Sequence, residues 1–247
     1  MEHHPAKCIV SLVPSQTELL AHLGLEQEVV GVTKFCVHPT HWRKAKELVG
    51  GTKQLHLDRI LDLEPDLIIA NEEENDREQV LALAEKIPVW VSRVVDLPSA
   101  QEMIVQVGAL TGRHDVALEL AQEIGQSFDQ LPEFPKQSAL YFIWRKPYMA
   151  SGGDTFINSM MAACGLENVL QDQKRYPELS TEQIQALNPA VILLSSEPFP
   201  FKEKHIAELS ALCPNAAVRL VDGEMFSWYG SRLLQSAAYF RNLRTDI

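Results

Sequence analysis

Two rhythms of apolar and polar residues alternate along the chain. Short uninterrupted apolar runs, bounded by Pro, Gly or charge, suit strands covered on both faces. They fall at Cys8–Val13, Val29–Thr33, Leu67–Ala70, Pro88–Val94, Ala139–Trp144, Val191–Leu194 and Ala217–Val221. Between them, apolar spacings of three and four predict amphipathic helices. One begins at Ser15, a candidate cap with Glu18 three residues on, and ends at Gly24. Others cover Leu57–Leu63 before Pro65, Asp76–Lys86, Asp154–Cys164 before Gly165, Thr181–Leu187 before Pro189, Lys202–Leu212 and Ser231–Leu243. Residues 34–56, rich in His, Trp and Gly, read as irregular.

The longest pattern runs from Ser99 to Leu131, with apolar positions at Met103, Val107, Leu110, Ala117, Ala121, Ile124 and Phe128 once His114 fills the gap. Pro98 precedes it and Pro132 stops it. One helix of that length spans roughly 50 Å and would serve as a strut between two lobes. Gly108, Gly112 and Gly125 each weaken a helix interior by about 1 kcal/mol, so two ordinary helices broken near Gly112 are the alternative.

On either side of this stretch the pattern repeats. Asp58–Glu74 aligns without gaps on Glu182–Pro198 at an offset of 124, matching Ile60 with Ile184, Leu63 with Leu187, Pro65 with Pro189, Ile68 with Ile192 and Glu73 with Glu197. A weaker echo sets Thr17–Val29 against Asn158–Val169, both carrying Gly-Leu-Glu after an apolar helix. The fold class expected is therefore α/β: two Rossmann-like lobes with mostly parallel sheets, over residues 1–98 and 132–247, joined by a backbone helix over 99–131. Ligands of such sheets sit beyond the carboxyl ends of the strands, and a stiff connection would let those ends face each other across a cleft.

Composition adds exclusions. The 247 residues are 46% hydrophobic and 22% charged, ordinary for a chain with a substantial core. A net charge of −11 argues against nucleic acid or an anionic membrane as partner. The opening residues MEHHPAKCIVSLVPSQ are too short and too polar at their edges to read as a secretory leader, which leaves a cytoplasmic location open. Four cysteines without CxxC spacing suggest free thiols.

The residues that follow each strand are the candidate site. The first half offers Pro14 and Ser15, Phe35, Cys36 and His38, then Glu73. The second offers Trp144 and Arg145, Glu197 and Phe199, then Trp228 and Tyr229. Loop aromatics suit a flat, partly apolar ligand. Phe201 and Phe226 are expected to pack beneath their own loops. Arg145 can hold a carboxylate or phosphate, or fix Glu197. His38 and His41, three apart, can bind a transition metal with Glu73 or Glu197, although isolated loop histidines are mostly solvated. The Glu72–Asp76 cluster fits a helix N-terminus, and Gly152–Asp154 can present N–H groups to an anion. No nucleophile elbow, phosphate loop or HExxH motif occurs, so no catalytic constellation is read, and no cofactor or resident metal is expected.

In order, IVSLVPSQTELLAHLG, VVGVT, VGGT and LDRILDLEPDLIIA, followed by the long helical stretch and a second lobe, resemble the helical-backbone substrate-binding proteins of ABC importers. That family takes up cobalamin, haem and iron-siderophores, and the chain looks closest to its cobalamin-binding branch. The resemblance implies a non-enzymatic, monomeric, extracytoplasmic receptor for cobalamin or another metal chelate, gripped between the lobes by loop aromatics. A ferric siderophore, haem or metal ion is the alternative ligand, and a cytoplasmic cofactor-handling protein the alternative role. It also implies docking on a membrane permease through one surface carboxylate per lobe, with Glu73 or Glu78 and Glu203 as counterparts. The stretches WRKPYMASGGDTF and VDGEMFSWYGSR depart from the family pattern and mark a distinct subgroup.

Overall fold

The computed structural model describes residues 4–247. The chain divides into two compact units. One takes in the described residues through Val94 together with Pro98–Gly125 and Tyr229–Arg232; the other takes in Val95–Leu97, Gln126–Trp228 and Leu233–Ile247.

The first unit is built from β1 (Ile9–Ser11), α1 (Pro14–His22), β2 (Val29–Val32), α2 (Trp42–Ala45), β3 (Glu47–Leu48), α3 (Leu57–Asp62), β4 (Leu67–Asn71), α4 (Arg77–Ala84), β5 (Val89–Ser92) and α5 (Leu97–Thr111), followed by most of α6 (His114–Asp129). Its five strands are ordered β3-β2-β1-β4-β5, and every pairing is parallel. Val10, Leu12, Ile60, Ile68, Ala70 and Leu83 form its core. α1 begins one residue before the expected cap: Pro14 takes the first turn, where its missing N–H costs nothing, and Val13 precedes it without a side-chain cap.

The expectation of one uninterrupted helix over 99–131 is corrected. The chain turns at Gly112, whose φ of +69° is open to glycine at little cost. Arg113 N–H bonds to Gly108 C=O at 2.7 Å and Gly112 N–H to Ala109 C=O at 3.5 Å, a Schellman closure of α5. α6 then folds back along α5. A Cβ on Gly108 would stand 2.3 Å from the Ala117 Cβ, and one on Gly125 2.6 Å from Gln101 Nε2. Gln101 Nε2 donates to Ala121 C=O at 2.8 Å. The three glycines that weaken a single helix are the residues that permit the hairpin. The chain leaves the first unit within α6, between Gly125 and Gln126.

The second unit contains β6 (Gln137–Trp144), β7 (Tyr148–Ala150), α7 (Phe156–Ala163), β8 (Leu166–Asn168), β9 (Glu178–Leu179), α8 (Thr181–Leu187), β10 (Val191–Ser195), α9 (Glu203–Leu212), β11 (Ala217–Val221), α10 (Glu224–Ser227) and α11 (Leu233–Leu243). β10 lies parallel between β11 and β6. The amino-terminal half of β6 pairs in parallel with β8, and its carboxyl-terminal half pairs antiparallel with β7, which carries β9. Leu140, Phe142, Ile192, Leu194 and Leu209 form the core.

The repeat read from the sequence is a repeat of structure. Shifted by 124, α3 and β4 start where α8 and β10 start, and β4 and β10 end in register. The Gly-Leu-Glu echo marks two further equivalent turns: Gly24 and Gly165 both carry positive φ after a helix, and Leu25 and Leu166 are both buried. One segment returns late. Arg232, numbered with the second half, belongs to the first unit and grips Glu18 of α1 through Nη2–Oε1 at 2.5 Å and Nε–Oε2 at 3.1 Å.

Candidate functional site

At the carboxyl edge of the first sheet, buried polar side chains tie the loops together. Asn71, the last residue of β4, accepts from the N–H groups of Glu73 and Glu74 through Oδ1, and donates through Nδ2 to the Ser92 hydroxyl at 3.0 Å. Gln16 donates to the same hydroxyl at 2.5 Å. Asn75 reaches the carbonyls of Leu12 and Thr52. Cys36 is buried among Thr17 and Thr33, and that burial raises its thiol pKa, so it serves packing rather than nucleophilic chemistry. None of the four cysteines forms a disulfide.

This edge holds Pro14 and Ser15 at the start of α1, with Ser15 buried. Phe35 projects from the turn after β2, 51% exposed, with Lys34 Nζ 5.1 Å from its ring centroid. His38 is half-buried in the same loop. The metal reading of the histidine pair is corrected in one respect: His41 Nε2 lies 3.2 Å from Glu26, which also accepts from Trp42 Nε1 at 2.6 Å. The Trp42 bond is the main cause holding Glu26 below its ordinary pKa. Among the described residues no group of three or more His, Cys, Asp or Glu side chains is arranged to hold a metal. Glu73 is half-buried, and its carbonyl accepts from Lys53 Nζ at 2.6 Å. Asp76 caps α4 by accepting from Gln79 N–H at 3.0 Å, which accounts for one acid of the Glu72–Asp76 cluster.

The carboxyl edge of the second sheet is aromatic. Trp144, the last residue of β6, is 39% exposed and meets the Phe199 ring edge-on at 5.7 Å. Phe199 rests in turn on Phe201 at 4.8 Å. Phe201 and Phe226 are buried, as expected of residues packing under their loops. Trp228 and Tyr229 are also buried, so of the aromatic candidates Phe35 and Trp144 offer the most open faces.

Arg145 does not fix Glu197. It forms a bidentate pair with Glu208 of α9, Nη2 reaching Oε2 at 2.7 Å and Oε1 at 2.9 Å, and Tyr148 donates to the same carboxylate at 2.5 Å. Burial alone would raise Glu208, but the bonds from Tyr148 and Arg145 bring it below the usual glutamate range. Glu197 is instead held by Trp228 Nε1 at 2.8 Å and Ser227 Oγ at 2.9 Å, both on Oε1. Burial pushes its pKa up, the two donors lower it, and the nearby Glu224 and Asp222 raise it further. Gly152 and Gly153 do not offer anion-binding N–H groups, because these donate to the Arg175 and Gln173 carbonyls at 2.8 Å each.

Sequence reasoning found the exposed aromatics because Phe35 follows a readable strand and Trp144 closes one. It missed Ser227 and Glu208, which lie 30 residues from Glu197 and 63 from Arg145 and carry no local signal.

Residues 9–211 match the family model described as periplasmic binding protein. A vitamin B12-binding protein of Vibrio campbellii is 28% identical over 197 residues, covering 77% of this chain and 71% of the relative. The fold superposes on a periplasmic vitamin B12 binding protein of Vibrio cholerae with a TM-score of 0.84, 23% identity and 98% of each chain covered. It superposes on a periplasmic haem binding protein from Pseudomonas aeruginosa with a TM-score of 0.78 and 22% identity, over 96% of this chain and 93% of the other.

Proposed function

The chain belongs to the periplasmic binding protein family, and from that premise we propose that it is the receptor of an ABC importer for a metal-bearing tetrapyrrole, a corrinoid of the cobalamin type foremost. It binds and hands over its ligand outside the cytoplasmic membrane, as a monomer, without chemical conversion. The single observation that carries the ligand class is the two exposed aromatics, Phe35 in the turn after β2 and Trp144 at the end of β6. Exposed rings of this size cost the free protein solvation and suit the flat apolar body of a macrocycle. The relatives named vitamin B12-binding support the same choice. Docking on the permease falls to exposed carboxylates, Glu78 on α4 and Glu203 at the start of α9. Glu73, the other candidate, is less exposed.

The test is a tryptophan-fluorescence titration with cyanocobalamin, cobinamide, haemin and a ferric siderophore. Saturable quenching by a corrinoid is expected, and Trp144→Ala should weaken it by about tenfold. Quenching by the siderophore alone, or by none of the four, overturns the reading.

A further inference from the structure

Glu197 has a geometry suited to selecting among ligands. It follows β10, at the position that the repeat matches with Glu73. Trp228 Nε1 and Ser227 Oγ both donate to Oε1, which fixes the plane of the carboxylate. Oε2 takes no hydrogen bond from the described residues. The charged groups acting on it are Glu224, the first residue of α10, and Asp222 of the turn after β11, and both are acidic. From β6, the buried Tyr141 hydroxyl donates to Ser195 Oγ at 3.1 Å, so it is committed elsewhere. The arginine of this edge, Arg145, is neutralised by Glu208.

We propose that Glu197 selects ligands by their periphery, accepting a primary carboxamide N–H on Oε2 and rejecting a carboxylate at the same place. The inference rests on the receptor reading above and specifies the substituents that the macrocycle must carry. An N–H donated to an oriented carboxylate makes a charge-assisted bond. A ligand carboxylate there would join the carboxyl groups of Glu197, Glu224 and Asp222, and like charges disfavour one another. The Trp144 and Phe199 rings take the apolar body and are indifferent to this choice.

Two matched pairs test it by equilibrium titration at neutral pH and one ionic strength. Cobinamide carries side-chain amides, and cobyrinic acid carries carboxylates on the same corrin. Haemin carries two propionates, and its diamide carries none. The wild type should bind the amide member of whichever pair it accepts at least about tenfold more tightly. Glu197→Gln keeps the Oε1 acceptor for Trp228 and Ser227 but turns the open position into a donor. It should narrow that ratio toward one by gaining affinity for the acid, with its melting temperature confirming that it folds. Binding of the haem pair alone with an amide preference refutes the corrinoid assignment and supports the role of Glu197. Equal affinity within a pair, an unchanged ratio in Glu197→Gln, or no binding of any of the four overturns the role of Glu197.

Discussion

The α3–β4 segment and its counterpart α8–β10 begin in step, 124 residues apart, yet they end in different chemistry. Each strand closes with a small polar residue whose side chain accepts the N–H two positions on: Asn71 from Glu73 at 2.9 Å, Ser195 from Glu197 at 3.3 Å. The same turn therefore presents a glutamate in both lobes. In the first, buried amides and hydroxyls surround the turn. In the second, an indole and a hydroxyl draw the glutamate side chain inward, and aromatic rings line the edge. The second lobe also replaces half of a parallel neighbour with the antiparallel β7–β9 pair, so that the carboxyl end of β6, where Trp144 pairs with Met149, is held by a hairpin. A repeated frame fixes where a side chain emerges, and what stands beside it decides its use.

The equivalence is tested most severely in the core. Ile68→Ala and Ile192→Ala remove matching, fully buried side chains, and each should cost about 2–5 kcal/mol in denaturant unfolding. A cost below about 1 kcal/mol for either would break the equivalence. The helices preceding these strands should differ. Ser180 and Gln183 form a reciprocal capping box on α8, whereas His56 at the matching position of α3 makes no side-chain cap. Ser180→Ala should cost about 1 kcal/mol, and His56→Ala no more than about 0.5 kcal/mol; equal costs would remove the contrast. The smallest effect concerns pH. Glu197 holds its proton more tightly in the folded chain than in the unfolded one, so its contribution is fully present below the unfolded glutamate pKa of about 4.3 and is lost as pH rises through the raised folded value. The melting temperature of Glu197→Gln relative to wild type should therefore climb over that interval, and a constant difference would contradict the assignment.

What the sequence revealed follows from how locally each feature is encoded. β4 and β10 are continuous apolar runs behind a proline, and α8 fills the predicted Thr181–Leu187. β3 and β9 have two residues each, β7 and β8 three, too few for any period to register; β7 is defined by its hairpin with β6, and the other three by partners well separated in sequence. The sequence left one long helix and two helices broken near Gly112 both open, because both arms bury residues three and four apart and the exposed His114 bridges their phases in the one-dimensional pattern. Only the positive φ of Gly112 separates the two readings, and composition does not report a dihedral angle. In the candidate site, Phe35 was legible as a ring just past a strand and Trp144 as the ring that ends one. The bonds that orient Arg145 and Glu197 were not, since both arise from tertiary approach.

The clasp between Arg232 and Glu18 sets an order of events during synthesis. A ribosome has emitted every strand of the leading sheet by Ser92, but the guanidinium that α1 awaits is encoded 214 positions after its carboxylate. The module that is translated first is thus among the last to be finished, and a gene truncated before codon 229 would yield a trailing half shorn of its end and a leading half that never closes its ion pair.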